Sequence, residues 1–259
     1  IAYSGSDEIS NCENYGEAGY GIARELYYAS NSIIENCRNY AKVKAAGIVG
    51  SILSSSSSTR YSYQILNCAN FGDVVQSSAT SSAGGIVGYI SDTGGKRIVI
   101  DSCFNAGNIE GGGYSGGIVG QMLGSGSNVV QISNCGSEGN VSGEGLVGAI
   151  AGNGRSDLSI SNCYAVSSIS QERLVGDDVT VPNNCIYILT VDDGSGVTTT
   201  YKKFIGNDFT GFAWLNDASC PIPKALAWSG QFQETPSEYQ GQADWILYKM
   251  QQDGWTAVA

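Results

Sequence analysis

The stretch Ala46-Gly47-Ile48-Val49-Gly50 decides the fold of this chain, because the sequence repeats it at intervals. Three close copies and two degenerate ones follow the same order of small and branched residues: Gly85-Ile86-Val87-Gly88, Gly117-Ile118-Val119-Gly120, Gly145-Leu146-Val147-Gly148, Gly21-Ile22-Ala23-Arg24 and Arg173-Leu174-Val175-Gly176. Self-similarity with a period of about 20–50 residues is typical of solenoids and other repeat arrays. The chain is therefore predicted to be a stack of similar units.

A second phrase lies between the copies and carries the cysteines. It reads Ile-Leu-Asn-Cys-Ala-Asn-Phe-Gly-Asp-Val at residues 65–74. Seven of the eight cysteines share its cysteine position: Cys12, Cys37, Cys68, Cys103, Cys135, Cys163 and Cys185. Because disulfide frameworks belong mainly to short secreted domains, we interpret this set as a column of buried thiols that pack as small apolar groups. A disulfide between neighbouring units stays open, since adjacent strands lie about 4.8 Å apart and a bridge can span that distance.

Apolar residues alternate within both phrases, and a period of two indicates β-strands. Isoleucine stands three residues before the cysteine in six copies: Ile9, Ile34, Ile65, Ile100, Ile132 and Ile160. In the glycine phrase, the residues predicted to share one face are Ile48, Gly50 and Ile52, then Ile86, Gly88 and Ile90, then Ile118, Gly120 and Met122, then Leu146, Gly148 and Ile150. The spacing of these copies predicts units of about 28 residues near the end of the array.

Two corners are predicted in each unit. Asn precedes the cysteine in six copies, with Ser102 in the seventh. Asn tolerates left-handed backbone angles, and its amide can stack on equivalent amides in the units above and below. The second corner is predicted four residues after the cysteine, where glycine would allow a positive φ: Gly16, Gly72, Gly107 and Gly139.

These patterns predict an all-β chain, a parallel β-helix solenoid of about six coils with three strands each. The repeats fill residues 1–176, and residues 177–259 are predicted to form a β-hairpin and a tryptophan-rich cap of mixed structure. Thr235-Pro236-Ser237-Glu238 matches the start of one helix in that cap, and Gly254 matches its end.

Composition excludes several classes of function. The net charge of −11 argues against a nucleic-acid partner, and the absence of a run of about 18 apolar residues argues against membrane insertion. The chain has no His, which excludes Ser-His and Cys-His nucleophile pairs and His-ligated zinc. Ile1 does not open a signal peptide, so we expect any such segment to have been removed.

The two phrases in this order resemble the GLUG repeat of bacterial surface and secreted proteins. Such repeats occur in adhesin-like proteins and beside the peptidase domain of some immunoglobulin-degrading enzymes. The resemblance covers residues 19–176, and no motif matches residues 177–259. It implies a β-helical, extracellular or cell-surface module without enzymatic activity, and it brings no set of functional residues with it.

Several motifs could indicate a nucleotide, calcium or ligand-binding site. Two matches to G-x-G-x-x-G, at residues 111–116 and 143–148, are interpreted as repeat glycines rather than a nucleotide site. The pairs Asp192-Asp193 and Asp177-Asp178 are interpreted as turn residues rather than calcium ligands. No catalytic, metal or cofactor site is predicted. The candidate ligand contacts are three tyrosines: Tyr61, Tyr63 and Tyr114.

The sequence thus predicts a surface or secreted adhesin-like module, a monomer or a part of a longer surface protein, whose solenoid loops bind a glycan or a host protein. Insertions at residues 54–62 and 76–83 are the expected binding loops. One alternative is a β-helical polysaccharide lyase or glycoside hydrolase, with acids among Asp73, Asp101 and Asp157. The other alternative is a structural spacer with no ligand.

Overall fold

The chain folds into a parallel β-helix followed by a mixed C-terminal region. The computed structural model describes residues 2–3, 8–27, 31–54, 62–92, 97–124, 129–177, 180–215, 217–230, 237 and 239–258. Equivalent strands of successive coils pair in parallel and in register, so each sheet runs along the solenoid axis. The predicted fold class is confirmed.

Three long sheets form the walls of the solenoid. We name each sheet after the residue or phrase that recurs in or beside its strands. The Gly-Ile-Val sheet contains the strands Ala2–Tyr3, Ala23–Tyr27, Val49–Ser54, Val87–Asp92 and Val119–Leu123. The isoleucine sheet contains Glu8–Ser10, Asn31–Glu35, Ser62–Leu66, Arg97–Asp101, Val129–Ser133 and Leu158–Ser161. The cysteine sheet contains Glu13–Asn14, Arg38–Asn39, Ala69–Asn70, Phe104–Asn105, Gly136–Ser137, Tyr164–Ile169, Cys185–Asp192, Thr198–Ile205 and Thr256–Ala257.

Two short ladders complete the middle coils, which therefore hold more than the three predicted strands. One contains Val74–Val75, Ile109–Gly111 and Val141–Gly143, and the other contains Ser82–Gly84, Tyr114–Gly116 and Leu146–Gly148. In the C-terminal region, Phe212–Ala213 pairs with Ile222–Pro223, and the helices are Lys224–Ser229 and Tyr239–Gly241 (3₁₀) and Ala243–Gln252 (α). No described helix has the length and apolar character needed to cross a membrane.

The core consists of columns of like residues. The six isoleucines that stand three residues before a repeat cysteine pair with one another in register, and five of them are buried, with Ile9 of the first coil partly buried. Six of the seven repeat thiols are also buried, whereas Cys12 in the first coil is exposed. Each buried thiol donates to the carbonyl oxygen two residues earlier, as Cys135 does to Ser133 at 3.1 Å. The thiol column predicted from the sequence is present, and every cysteine is reduced.

Burial makes the thiol column unreactive. It raises the pKa of the Cys103, Cys135, Cys163 and Cys185 thiols well above the usual range, so they stay protonated, and the thiolate is the reactive form. Hydrogen bonds with the Cys103 and Cys37 thiols lower the pKa of Cys68, so Cys68 is protected by its complete burial, which keeps reagents from its sulfur. We expect a maleimide to label only Cys12 rapidly in the native protein and all eight cysteines in denaturant. Mass spectrometry of the labelled chain measures both counts. Cys12→Ser should abolish the rapid reaction, and fewer than eight labels in denaturant would reveal a disulfide.

The first predicted corner is confirmed. All seven residues before the repeat cysteines adopt a left-handed backbone with φ between 49° and 55°: Asn11, Asn36, Asn67, Ser102, Asn134, Asn162 and Asn184. The second corner is present where predicted, because the chain bends at Gly16, Gly72, Gly107 and Gly139, but these glycines are not among the residues with positive φ. Glycine is needed at Gly72, Gly107 and Gly139 because a Cβ there would lie closer than 3.0 Å to a backbone oxygen of the preceding coil.

The stacked amides also lie elsewhere than predicted. They belong to the Asn two residues after the cysteine, not to the Asn before it. Asn39 Nδ2 donates to Asn70 Oδ1 at 2.7 Å, and Asn70 Nδ2 donates to Asn105 Oδ1 at 2.8 Å. Each amide also donates to the carbonyl oxygen two residues later, as Asn70 does to Gly72 at 2.7 Å. Asn39, Asn70 and Asn105 have no exposed surface, so this amide ladder is a buried polar spine beside the thiols.

The fourth copy of the glycine phrase was assigned to the wrong residues. Gly148 pairs with Gly116, and Ala151 pairs with Val119, so the true copy is Ala149-Ile150-Ala151-Gly152, four residues after the predicted one. Leu146, predicted to be buried, is 37% exposed. Gly148 is therefore not equivalent to Gly50, Gly88 and Gly120; Gly152 is. The predicted 28-residue spacing is wrong here because residues 145–148, which precede the true copy, have nearly the same sequence as the glycine phrase.

Residues 185–205 form the predicted hairpin. Its first strand, Cys185–Asp192, is also the last parallel strand of the cysteine sheet, and Thr198–Ile205 pairs with it in antiparallel fashion. Gly194 and Gly196 in the turn have φ of 81° and 85°. The second strand covers the end of the cysteine sheet, as a cap would.

The rest of the C-terminal region lies along the side of the solenoid rather than over its end. Its buried residues pack on the outer face of the cysteine sheet, against Ala69, Phe104, Tyr164 and Ile186 of successive coils. Trp228 Nε1 donates to the Ser102 carbonyl oxygen at 3.0 Å, and the Arg38 guanidinium lies 5.6 Å from the Trp228 ring centroid. We call this region the side brace.

The α-helix of the side brace ends where the sequence predicted. Gly254 has φ of 78°, and the Trp255 N–H donates to the Met250 carbonyl oxygen at 3.0 Å, which is the geometry of a glycine-terminated helix. The helix begins at Ala243, after the proposed capping box. Thr235, Pro236 and Glu238 of that box lie outside the described residues.

Candidate ligand-binding groove

A groove of about 470 Å³ runs over the outer face of the Gly-Ile-Val sheet. Its floor is built by outward residues of three successive strands, its first wall by residues 76–82, and its second wall by Tyr20. The lining residues are Tyr20, Ala45, Gly50, Ser51, Gln76, Thr80, Ser81, Ser82, Tyr89, Gln121 and Leu123. We call it the Tyr89 groove.

The floor follows from strand register. Ser51 pairs with Tyr89, and Tyr89 pairs with Gln121, so the three side chains form a row along the solenoid axis. Neighbouring residues such as Ile52, Ile90 and Met122 point into the core. Alternation along each strand therefore directs a hydroxyl, a phenol ring and an amide away from the core at adjacent positions. Ser51 and Tyr89 are half-buried, whereas Gln121 is 8% exposed beneath the loop wall and lines the groove with the remaining surface of its amide.

The loop wall is fixed by backbone contacts. The Gly113 N–H donates to the Ser81 carbonyl oxygen at 2.9 Å, and Ser81 N–H donates to Ser78 within the turn at 2.9 Å. Gly112 lies so close to Ser78 that a Cβ would overlap its backbone. The Ser82 hydroxyl donates to Gln121 Oε1 at 3.1 Å, which joins the wall to the floor. The insertion at residues 76–83 is thus an ordered wall, in agreement with its predicted place at a bend.

Tyr20 forms the opposite wall because Gly50 leaves room for its ring. A Cβ at Gly50 would lie closer than 3.0 Å to Tyr20 Cδ1. The Arg24 guanidinium lies 5.9 Å from the Tyr20 ring centroid and supports the ring from its side. Tyr20 and Tyr89 are both half-buried, so each presents part of a rigid ring to the groove.

None of the residues that line the groove is charged. Hydroxyl and amide groups supply its polarity: Ser51, Gln76, Thr80, Ser81, Ser82 and Gln121. Such a surface can accept and donate hydrogen bonds while the tyrosine rings provide apolar area. It contains no carboxylate, imidazole or amine for acid–base chemistry.

The three tyrosines predicted as ligand contacts do not come together at this groove. Tyr63 has no exposed surface and packs in the core between coils, so it offers no surface contact. Tyr114 is half-buried on the neighbouring short ladder, in register with Ser82 and Leu146, and does not line the groove. Tyr61 lies outside the described residues.

The three aspartates considered for an enzyme lie at separate bends, each with its own structural role. Asp73 Oδ1 accepts the Asn108 backbone N–H at 3.0 Å. Asp101 Oδ1 accepts the Ser133 hydroxyl at 2.6 Å. Asp157 pairs with Arg155, whose Nε donates to it at 2.7 Å. None of these carboxylates lines the Tyr89 groove.

The remaining motifs have structural explanations. Asp192 and Asp193 each accept a backbone N–H two residues ahead at 2.9 Å, as in ordinary turns, and Asp177 accepts the Gly154 N–H at 2.9 Å. Asp178 lies outside the described residues. Both G-x-G-x-x-G strings lie in the short ladders, with no helix following them, so they are repeat glycines.

A row of aromatic rings lies elsewhere, on the outer face of the cysteine sheet. Tyr15 stacks on Tyr40 with centroids 4.9 Å apart, and Tyr40 stacks on Phe71 with centroids 5.1 Å apart. Tyr40 stacks between Tyr15 and Phe71, whereas Tyr15 ends the row in the first coil and is 70% exposed. The stack therefore packs coil against coil, and its most exposed ring is Tyr15.

Sequence reasoning missed Tyr89 and Gln121. Both stand one residue after the second glycine of the phrase, where a period of two directs the side chain outward. The signal was therefore present in the repeat alignment. It becomes visible only when the outward positions of successive copies are compared.

No protein-family model, no curated protein and no solved structure matches this chain. We therefore derive a function from the fold, the groove and the sequence motifs.

Proposed function

We propose that the chain is a non-catalytic, adhesin-like binding module of the GLUG type, secreted or held at a cell surface, and that the Tyr89 groove binds a glycan. The observation that carries this proposal is the groove itself, which joins two tyrosine rings to six hydroxyl or amide side chains on a rigid floor. The secreted or surface location follows from the resemblance of the two repeat phrases to GLUG repeats.

The chemistry of the groove suits sugars. A pyranose has apolar faces bounded by hydroxyl groups that both donate and accept hydrogen bonds. Ser, Thr and Gln side chains do the same, and tyrosine adds ring area with little conformational entropy to lose. The floor strands are fixed by backbone hydrogen bonds to both neighbouring coils, so the groove is formed before a ligand arrives.

A binding role is favoured over catalysis because the described lining of the groove holds no carboxylate or amine, and its titratable groups are two tyrosines. A glycosidase of the usual kind needs two carboxyl groups no more than about 9.5 Å apart. The three aspartates considered above are occupied at separate bends. A polysaccharide lyase would likewise need a base in contact with its substrate, and the described lining offers only the Tyr20 and Tyr89 hydroxyls, with no Lys, Arg or carboxylate beside them.

Tyr89→Ala is expected to weaken glycan binding at least about tenfold, equivalent to about 1.4 kcal/mol. The substitution removes a ring from the centre of the groove, where aromatic contacts contribute most. Affinity electrophoresis through gels that contain neutral and acidic polysaccharides would identify a ligand, and isothermal titration calorimetry would then give the affinities of the parent and the variant.

Tyr248→Ala is the matched control, because Tyr248 is 59% exposed on the α-helix of the side brace and does not line the groove. It should bind as the parent does. Degradation of the polysaccharide would favour the enzyme alternative. The absence of binding to every glycan would overturn the proposal and leave a host-protein ligand or a spacer.

A further inference from the structure

The charge around the Tyr89 groove limits the class of glycan. The lining residues are uncharged, and the adjacent strand Ala23–Tyr27 contributes one charge of each sign, Arg24 and Glu25. Glu25 pairs in register with Ser51 at the end of the floor row. The whole chain carries a net charge of −11. A polyanionic glycan would meet no cation among the described lining residues, and the net negative charge of the chain would repel it at long range. The nearest cations are at the rim, at Arg24 beside Tyr20 and at Lys44 beside Ala45.

The geometry of the groove floor also indicates the direction in which a bound glycan would lie. Ser51, Tyr89 and Gln121 stand on three consecutive strands of one parallel sheet, so their spacing is about 4.8 Å per coil along the axis. A sugar unit of an extended chain advances by a comparable distance. A glycan that lies along the axis would therefore place one sugar against each coil, whereas a glycan that lies along a strand would contact one coil only.

We propose that the Tyr89 groove binds an uncharged, extended glycan that runs parallel to the solenoid axis, with successive sugars at Ser51, Tyr89 and Gln121. This inference rests on the proposed function, since it specifies the ligand class and the orientation at the same groove. The Tyr89 ring occupies the middle position and makes the main apolar contact. Ser51 and Gln121 hydrogen-bond the sugars on either side.

The test is calorimetry with soluble neutral oligosaccharides of cellulose, xylan and mannan, from disaccharide to hexasaccharide, and with oligogalacturonates as the charged counterpart. For one neutral series, affinity should rise at least about tenfold between the disaccharide and the tetrasaccharide and then level off. Oligogalacturonates should bind at least about tenfold more weakly at low salt.

Variants at the two ends of the row test the orientation. Ser51→Ala and Gln121→Ala should each lower the affinity for the hexasaccharide about threefold to tenfold, as expected for a lost hydrogen bond. The urea midpoint of Ser51→Ala should match that of the parent, which separates a binding effect from a folding effect. Gln121→Ala also loses the hydrogen bond from Ser82, so Ser82→Ala is its control: it removes the same bond, and a larger loss of affinity in Gln121→Ala assigns the difference to the ligand. Tyr248→Ala serves again as the control variant.

The outcomes separate this inference from the proposed function. Tighter binding of oligogalacturonates, equal affinity at every chain length, or an effect of only one end variant would overturn the inference while glycan binding itself stands. Failure of all glycans, neutral and charged, to bind would overturn the proposed function together with the inference.

Discussion

Gly85→Ala is expected to lower the free energy of unfolding by about 4 kcal/mol or more. Gly85 is the first glycine of a repeat phrase and lies against the next coil and the amide ladder. A Cβ at this position would come closer than 3.0 Å to both the Gly117 carbonyl oxygen and the Asn105 amide. The Asn105 amide is held by buried hydrogen bonds with Asn70 and Gly107, and the Gly117 oxygen belongs to the backbone of the next coil, so the coils would have to separate.

Urea unfolding followed by circular dichroism measures this effect. Gly19→Ala is the matched control, because Gly19 is exposed, has no atom within 4 Å of the added Cβ, and is not among the residues with positive φ. We expect Gly19→Ala to change the free energy of unfolding by less than about 0.5 kcal/mol. If Gly85→Ala were as stable as this control, the close packing of the coils at the glycine phrase would be refuted.

The chain itself contains a natural double substitution at the equivalent positions. Two coils further along, Ala149 stands at the position of Gly85, and Ala165 stands at the position of Asn105, after Gly117 and Ser137 in the coil between. Both alanines are fully buried. We therefore expect Asn105→Ala to recover part of the loss in Gly85→Ala, with a coupling energy of roughly 1 kcal/mol or more in a double-mutant cycle. Partial recovery is expected, since the overlap with the Gly117 oxygen remains.

Asn70→Ala is expected to lower the free energy of unfolding by about 3 kcal/mol. Asn70 lies at the centre of the amide ladder and has no exposed surface. Its loss removes the donor to Gly72 O and to Asn105 Oδ1, and it removes the acceptor of Asn39 Nδ2. Buried polar atoms without partners cost more than the bonds themselves contribute, because water cannot replace the missing group.

The control for this substitution is Asn140→Ala. The Asn140 Oδ1 also accepts a hydrogen bond from the next coil, from the Ser168 N–H at 3.0 Å, but Asn140 is exposed. Water can take its place, so the expected loss is below about 1 kcal/mol. Chemical denaturation of both variants gives the difference. Equal losses would mean that burial of the ladder does not decide its contribution.

The fold was predictable because its signals repeat. Isoleucine three residues before each cysteine predicts one column of the core, and every copy adds independent support. The left-handed Asn before the cysteine was predictable from the preferences of Asn alone. The register error at Gly148 arose where that redundancy fails, since the chain offers Gly145-Leu146-Val147-Gly148 and Ala149-Ile150-Ala151-Gly152 within eight residues.

The contacts between the glycine phrase and the cysteine phrase could not be predicted from the sequence of either phrase alone. The buried Asn ladder and the first glycine of the phrase touch across the coil, as Gly47 and Asn70 do. Sequence shows both residues but not that they meet. The Tyr89 groove could not be predicted for the same reason. Tyr20 and Tyr89 lie far apart in the chain, and they share a groove because Gly50, on the strand next to that of Tyr89, leaves room for the Tyr20 ring.

The side brace has a consequence for how the coils come apart. In a plain solenoid each coil contacts only its neighbours, so coils open one after another from an end. Here one continuous cluster of apolar side chains touches Ala69, Phe104, Tyr164 and Ile186, and Trp228 Nε1 bonds Ser102. Coils that share the brace cannot open singly without breaking it, so they gain cooperativity. The coils before Ala69 have little of this support, because the side brace contacts them through the cation–π interaction between Trp228 and Arg38. We therefore expect these coils to exchange their amide hydrogens first.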